Sequence, residues 1–364
     1  MKKILRRIVF YLYLVTILPM ACAILSQWIS PAAFWPLAFF GLTFPILILL
    51  QFIFLILMAI LRSKAAFLPL LMILATWTPF VHTFQIPGKK SPENKPAAQV
   101  KVISYNVRLF DFYQWSGQPD ASRGIFDYIT ENKPDILCLQ EFLTQDQGKL
   151  SPARIGSELA FLPNSYIEYN YTVQNRKHGL AIYSRFPVIG SGHEHFSGTL
   201  NMGIYADLVI GTDTVRVYNT HLESLHFNRD EFQWIDDKSD TTSLSGDKIT
   251  RIIYRMKSAY VRRSEQARQI RKDISQSPYP VIVCGDFNDT PVSYATTTIR
   301  KGLTDSFLSG GRWLGITYPD IKGPVRIDYI LHSKEMESAG FKTGKVNYSD
   351  HRPVSCQIRV TSGR

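Results

Sequence analysis

The stretch Val281-Ile282-Val283-Cys284-Gly285-Asp286-Phe287-Asn288-Asp289 decides how this chain is read. Four apolar residues bounded by Pro280 and Gly285 predict a short buried strand that ends where polar chemistry begins. Asp286 and Asn288 stand two apart, so on an extended backbone both side chains project to one face at the strand's carboxyl end. A carboxylate that only accepts hydrogen bonds then lies beside an amide that both donates and accepts. Alone, the motif reads equally well as an Asx-rich turn leaving a strand. Its neighbours along the chain decide between the two.

Other predicted strands end in the same way. Val100 to Arg108 alternates as a strand and delivers Asn106 near its end, and Asp135 to Glu141 is a second buried strand with a carboxylate at its far end. Between them Ser122 to Asn132 has helical spacing in Ile125, Phe126 and Ile129, and Pro134 stops it. His178 to Ser184 is a short strand entered through Gly179. Ile204 to Ile210 and Thr214 to Asn219 flank the turn Gly211-Thr212-Asp213, and the second of them runs into Thr220-His221-Leu222-Glu223. A strand-end histidine such as His221 is more often structural when it stands alone.

Residues 224–248 are polar and poorly periodic, which predicts a long loop or insertion. Ile249 to Ser277 predicts one long or two shorter amphipathic helices whose basic residues form a solvated face, or meet phosphates or anionic lipid. Thr290-Pro291 reads as an N-cap and first-turn proline opening another helix. Arg326 to Leu331 is a strand carrying Asp328, and Asn347 to Val354 enters the last strand with Asp350 beside His351, a pair in which a carboxylate can orient an imidazole. At least eight strands alternating with helices imply an α/β domain with polar residues from many strand ends meeting at one rim.

The resulting set is Asn106, Glu141, His221, Asp286, Asn288, Asp328, Asp350 and His351. Carboxylates and amides without cysteine ligands suit a hard cation such as Mg2+ or Mn2+. Two histidines add proton-transfer or phosphate-binding groups, so the set fits hydrolysis of a phosphate ester. Cys138, Cys284 and Cys356 sit in strand-like runs at spacings that match no zinc motif, which predicts buried free thiols; Cys22 lies in an apolar run.

The front of the chain differs in kind. Residues 1–99 hold nine Lys or Arg and one acid, Glu93, so +8 of the +11 net charge belongs there and only +3 to the rest. A basic balance that small beyond residue 99 does not by itself indicate nucleic acid. Ile8 to Leu25, Phe34 to Leu61 and Ala66 to Phe84 lack fixed charges and, at roughly 18–28 residues, are long enough to predict three transmembrane helices. Basic residues before Ile8 and at Arg62-Ser63-Lys64 place those sites in the cytoplasm, leaving the remainder extracytoplasmic, in the periplasm. The expected organisation is a membrane anchor over 1–84, a polar linker over 85–99 and a catalytic domain over 100–364.

The ordered series SYNVR, LQE, NTHLES, GDFND, RIDYIL and SDHRPV resembles the endonuclease/exonuclease/phosphatase superfamily over about residues 100–361. That resemblance implies a four-layered α/β sandwich, two packed mixed β-sheets flanked by helices. It also implies roles. Glu141 resembles the main metal ligand and Asn106 its hydrogen-bonding neighbour. Asp286 resembles the residue that activates water, and Asn288 the one that holds phosphate. His351 resembles the phosphate-contacting or proton-transferring histidine, oriented by Asp350 or Asp328. His221 resembles the second histidine of the deoxyribonuclease and sphingomyelinase branches, although its carboxylate partner is not identifiable. The expected activity is that of a membrane-tethered phosphodiesterase dependent on Mg2+ or Mn2+, with a nucleic acid as first substrate. Phospholipid or sphingomyelin-type hydrolysis at the bilayer, and non-catalytic binding of phosphorylated ligands, are the alternatives. No obligate protein partner is implied.

Overall fold

The computed structural model describes residues 2–86, 99–224, 246–319 and 325–360. Most of the expected linker and of the 224–248 insertion lie outside the described residues. The strands are β1 (Gln99–Asn106), β2 (Ile136–Gln145), β3 (Asn164–Val173), β4 (Arg176–Ser184), β5 (Val188–His195), β6 (Met202–Ile210), β7 (Asp213–His221), β8 (Val281–Asp286), β9 (Leu303–Asp305), β10 (Asp328–Ser333), β11 (Glu337–Thr343) and β12 (Val354–Arg359). They form two six-stranded sheets, ordered β11-β12-β1-β2-β4-β3 and β5-β6-β7-β8-β10-β9. Each is mixed, with a parallel pair at its centre: β1 with β2, and β7 with β8.

Side-chain alternation explains the layering. In β8, Ile282 and Cys284 face the core between the sheets, whereas Val281 and Val283 face outward to the helices Gly246–Gln276 and Tyr294–Arg300. In β1 and β2, Val102, Ile136 and Cys138 face the other sheet, and Ile103, Leu137 and Leu139 pack against the helices Ala121–Asn132 and Pro152–Glu158. A strand apolar on both faces must be covered on both. The architecture is accordingly helix, sheet, sheet, helix, as expected. Cys138, Cys284 and Cys356 are buried free thiols.

Of the two expectations for the basic stretch, one long helix holds, Gly246–Gln276. One local reading changes. The helix after Asp289 opens at Tyr294, capped by Ser293, whose hydroxyl accepts from the Thr296 N–H. Thr290 is not the cap: its buried Oγ1 accepts no hydrogen bond from a helix N–H among the described residues.

The front segment also departs from three continuous spans. One helix, Lys2–Leu25, is long and apolar enough to cross a membrane, by length and composition. The second run is broken into Pro36–Leu42 and Phe44–Ile60, bent by 61°, and the third into Lys64–Ala75 and Trp77–Thr83, bent by 63°. Pro45 and Pro79 fall within the first turn or so of the later pieces, where proline is tolerated but cannot continue a preceding helix.

This helical unit is docked on the sandwich. Gly41 packs so closely that an added Cβ would lie 2.3 Å from the Val292 carbonyl oxygen. Ser26 donates to the same carbonyl, Phe39 meets Tyr260 edge to face, and Gln85 exchanges two backbone hydrogen bonds with Trp313. Arg326, fully buried, joins the Asp305 carboxylate at 2.7 Å and the His82 carbonyl at 2.8 Å.

Candidate active site

Strand register assembles the centre. Along the parallel β7–β8 ladder His221 lies opposite Asp286, and along the antiparallel β8–β10 ladder Asp328 lies opposite Asp286. Gly285, just before Asp286, has φ 150°, and a Cβ there would lie 2.0 Å from the Thr220 carbonyl oxygen. Only glycine lets β8 approach β7 this closely. From the other sheet, β1 ends at Asn106 and β2 carries Glu141. The β2–β4 register shifts between Leu139 and Phe142, and Glu141 has φ 49°. This is a bulge that re-aims the Glu141 side chain. Buried amides pin the two sheets behind it: Gln140 Nε2 donates to Asn219 Oδ1, and Asn219 Nδ2 donates to the Leu139 and Ala181 carbonyls.

Asp286 is the hub. Its Oδ2 accepts from Asn106 Nδ2 at 3.1 Å and lies 3.5 Å from His351 Nε2 and 3.7 Å from His221 Nε2. Asn106 Nδ2 also donates to Glu141 Oε1 at 3.0 Å. His351 Nδ1 lies 3.0 Å from Asp328 Oδ2. Asp350 turns instead to Arg108 Nε at 3.1 Å, so Asp328 orients His351 and Asp350 does not. Among the described residues, Asp286 at 3.7 Å and Glu141 at 3.9 Å lie near His221 Nε2. Asn288 has φ 51°, directs its backbone N–H to Asp286 Oδ1, and uses its amide Nδ2 to reach the Leu222 carbonyl. Left-handed backbone at Glu141 and Asn288 is strain placed at the site itself.

Burial pushes Asp286 up to about 6, against the pull of His351 and His221. Burial, then the charge of Asp350, raises Glu141 above its ordinary range. Burial alone would lower His351, but the charges of Asp328 and Asp286 hold it well above its usual value. Several carboxylates thus share one largely buried centre, in which the Glu141 side chain keeps 30% exposure. Carboxylate oxygens gathered in this way fit a divalent cation. Asp286, Asp328 and His351 also offer three ligand atoms within 4.8 Å of one another. The His351–Asp328 hydrogen bond accounts for part of that closeness, and all three are buried.

Three supporting residues carried no clear signal in the sequence. Arg108 opens a run of left-handed residues, Arg108 to Asp111, and its N–H donates to Asn106 Oδ1. Arg263, on the basic helix, is buried rather than solvated: it donates to the Asn288 and Glu223 carbonyls and lies 3.3 Å from Asp289. Tyr318 packs its ring 4.8 Å from that of His351. Arginine spacing on an amphipathic helix and isolated loop aromatics do not announce such roles.

Fold and site define a metal-dependent hydrolase of phosphate esters. Residues 103–351 match the model described as Endonuclease/Exonuclease/phosphatase family, and the chain belongs to that family. Residues 6–83 match a separate model described as a domain of unknown function (DUF8431). Similar solved structures include an endonuclease/exonuclease/phosphatase family protein from Bacteroides thetaiotaomicron, with TM-score 0.51, 15% identity, and coverage of 74% of this chain and 98% of that one. A D. rerio TDP2 humanized by 14 mutations has TM-score 0.50 and 18% identity over 72% and 99%. The catalytic domain of human Nocturnin with bound sulfate has TM-score 0.50 and 18% identity over 72% and 95%. At these identities the likeness concerns the fold. A comparison with curated protein sequences finds no match.

Proposed function

We propose that this chain is a membrane-tethered phosphodiesterase using Mg2+ or Mn2+, with a nucleic acid as its first substrate class. The observation that carries the chemistry is Asp286 Oδ2, held within 4 Å of two imidazoles and hydrogen-bonded to Asn106. Glu141 and Asn106 would hold the metal, which when bound neutralises charge on the phosphoryl oxygens. Asp286 orients the attacking water and accepts its proton. Asn288 and His351 hold the phosphate, and His351, kept protonated by Asp328, donates to the leaving oxygen with His221 on the opposite side of Asp286.

The substrate reading rests on a strip beside the site. Tyr113 and Trp115 stack at 4.8 Å, Arg108 lies over Trp115, and Arg176 lies over Phe112 and Tyr113. Aromatic faces interleaved with arginines are a platform for unpaired bases. A cleft of about 600 Å³, lined by residues including Phe110, Phe112 and Lys149, continues from it. The helical unit, with exposed Val15, Leu18 and Ile60, supports the tether. Basic residues in the first turns of the first helix support an extracytoplasmic catalytic domain, since one crossing or three leave it on the same side. A reporter fused at the carboxyl terminus tests this: a cytoplasmic signal overturns it.

Docking of an apolar unit against the catalytic domain favours a second reading, phospholipid hydrolysis. Full-length protein in detergent, assayed on single-stranded DNA, RNA and phospholipid vesicles with Asp286→Ala as control, separates them. Cleavage of nucleic acid that the variant lacks supports the first reading. Hydrolysis of lipid alone replaces it with the second, and ligand binding without hydrolysis leaves a non-catalytic role.

A further inference from the structure

We propose that Glu168, His193 and His195 form a second metal site, away from the catalytic centre, that takes a borderline transition cation such as Zn2+ and clips together the free edges of the two sheets. Glu168 lies on β3, the edge strand of one sheet, and both histidines lie on β5, the edge strand of the other. His193 and His195 are two apart on a strand, so they share a face. Their rings meet at 4.6 Å. One ligand atom from each of the three residues falls within a common 4.8 Å.

The separations suit a shared ion better than direct pairing. His193 Nδ1 is 3.4 Å from Glu168 Oε2, and His195 Nε2 is 3.7 Å from Glu168 Oε1. Both exceed the usual 2.7–3.2 Å of an N–H···O hydrogen bond. Two donors each ~2.1 Å from a tetrahedral zinc ion stand about 3.4 Å apart. The carboxylate is also pre-set: the Tyr166 hydroxyl donates to Glu168 Oε2 at 3.1 Å and lies 3.2 Å from His193 Nδ1. An outer hydrogen bond of this kind fixes a ligating carboxylate. Two imidazoles and one carboxylate are a borderline donor set, unlike the oxygen-rich catalytic centre. The histidines keep 43% and 46% exposure, which leaves the remaining coordination to water.

Beneath the clip the sheets meet through Tyr166, Phe186 and Val188, only partly buried against the central core. An edge strand has one rail of unpaired backbone groups, and joining β3 to β5 closes the sandwich at that margin.

The test uses full-length protein in detergent, stripped with chelator and then held in excess Mg2+ so that the hard-metal centre is filled. Zn2+ is titrated by calorimetry and Co2+ by visible absorption into wild type, Asp286→Asn, Glu168→Gln and the double variant His193→Gln/His195→Gln. The proposal expects one tight Zn2+ equivalent in wild type and Asp286→Asn, absent from the other two. It also expects Zn2+ to raise Tm in wild type and not in the double variant. Mg2+-supported hydrolysis by the double variant should equal wild type. Equal Zn2+ uptake by wild type and the double variant, or a loss confined to Asp286→Asn, overturns it. Glu168→Gln keeps the test decisive if the double variant folds poorly.

Discussion

His351 Nδ1 lies 3.0 Å from Asp328 Oδ2 at the floor of the active site, both side chains almost wholly buried. A carboxylate so placed fixes the imidazole's orientation and favours its protonated form, while Nε2 faces the centre. Asp328→Asn should therefore lower kcat by about 10²-fold or more. Because Asp328 raises His351, its loss should also move the alkaline limb of the pH–rate profile to lower pH. An unmoved limb would remove His351 as the acid.

Arg263 holds the loop that presents Asn288. Its guanidinium donates to the Asn288 carbonyl at 2.6 Å, lies beside Asp289 and stacks 4.7 Å from the Tyr260 ring. Arg263→Met leaves Asp289 buried without its charge partner, which costs about 3–5 kcal/mol. Denaturant melts of the variant should show that loss; a change below 1 kcal/mol, on the order of a surface pair, would contradict it.

Close approach at Gly41 ties the helical unit to the catalytic domain. Gly41→Val drives new methyl groups toward the Val292 carbonyl, a backbone atom that cannot swing aside, and should cost about 1–3 kcal/mol. Limited proteolysis at residues 85–99 should then be faster than in wild type. Equal rates would mean that the docking contributes little.

Much of this was legible in the chain itself, because Val281 to Cys284 alternates between two buried faces and each strand end carries one polar residue. The choice between Asp328 and Asp350 was not. It depends on the β8–β10 register, which sets Asp328 opposite Asp286 across a long sequence separation. Edge strands β3 and β5 escaped notice because half-exposed strands with mixed polarity show neither a clean alternation nor a continuous apolar run. The breaks at Leu42–Phe44 and Ala75–Trp77 were hidden by uniform apolarity, which reports burial in lipid or protein but not helix continuity.

Stability should fall on acidification in two stages. Burial lowers His332 and His178, so both are neutral when folded and take up a proton more readily when unfolded. Their contribution is present above about pH 6.5 and is lost as pH falls below it. Burial alone would raise Asp305, but the Arg326 charge holds it well below the carboxylate range. Its contribution is present above about pH 3.9 and is lost below that. Tm measured across this range should show both declines, and His332→Gln should flatten the first.

Hydrolysis of a generic phosphodiester by full-length protein, with Mg2+ or Mn2+ and with chelator, tests the central claim most directly. Metal-restored turnover is predicted for wild type, and a loss of at least about 10²-fold for Asp286→Ala and His351→Ala in otherwise intact protein. Turnover that survives chelator, or that either variant retains in full, would contradict the account.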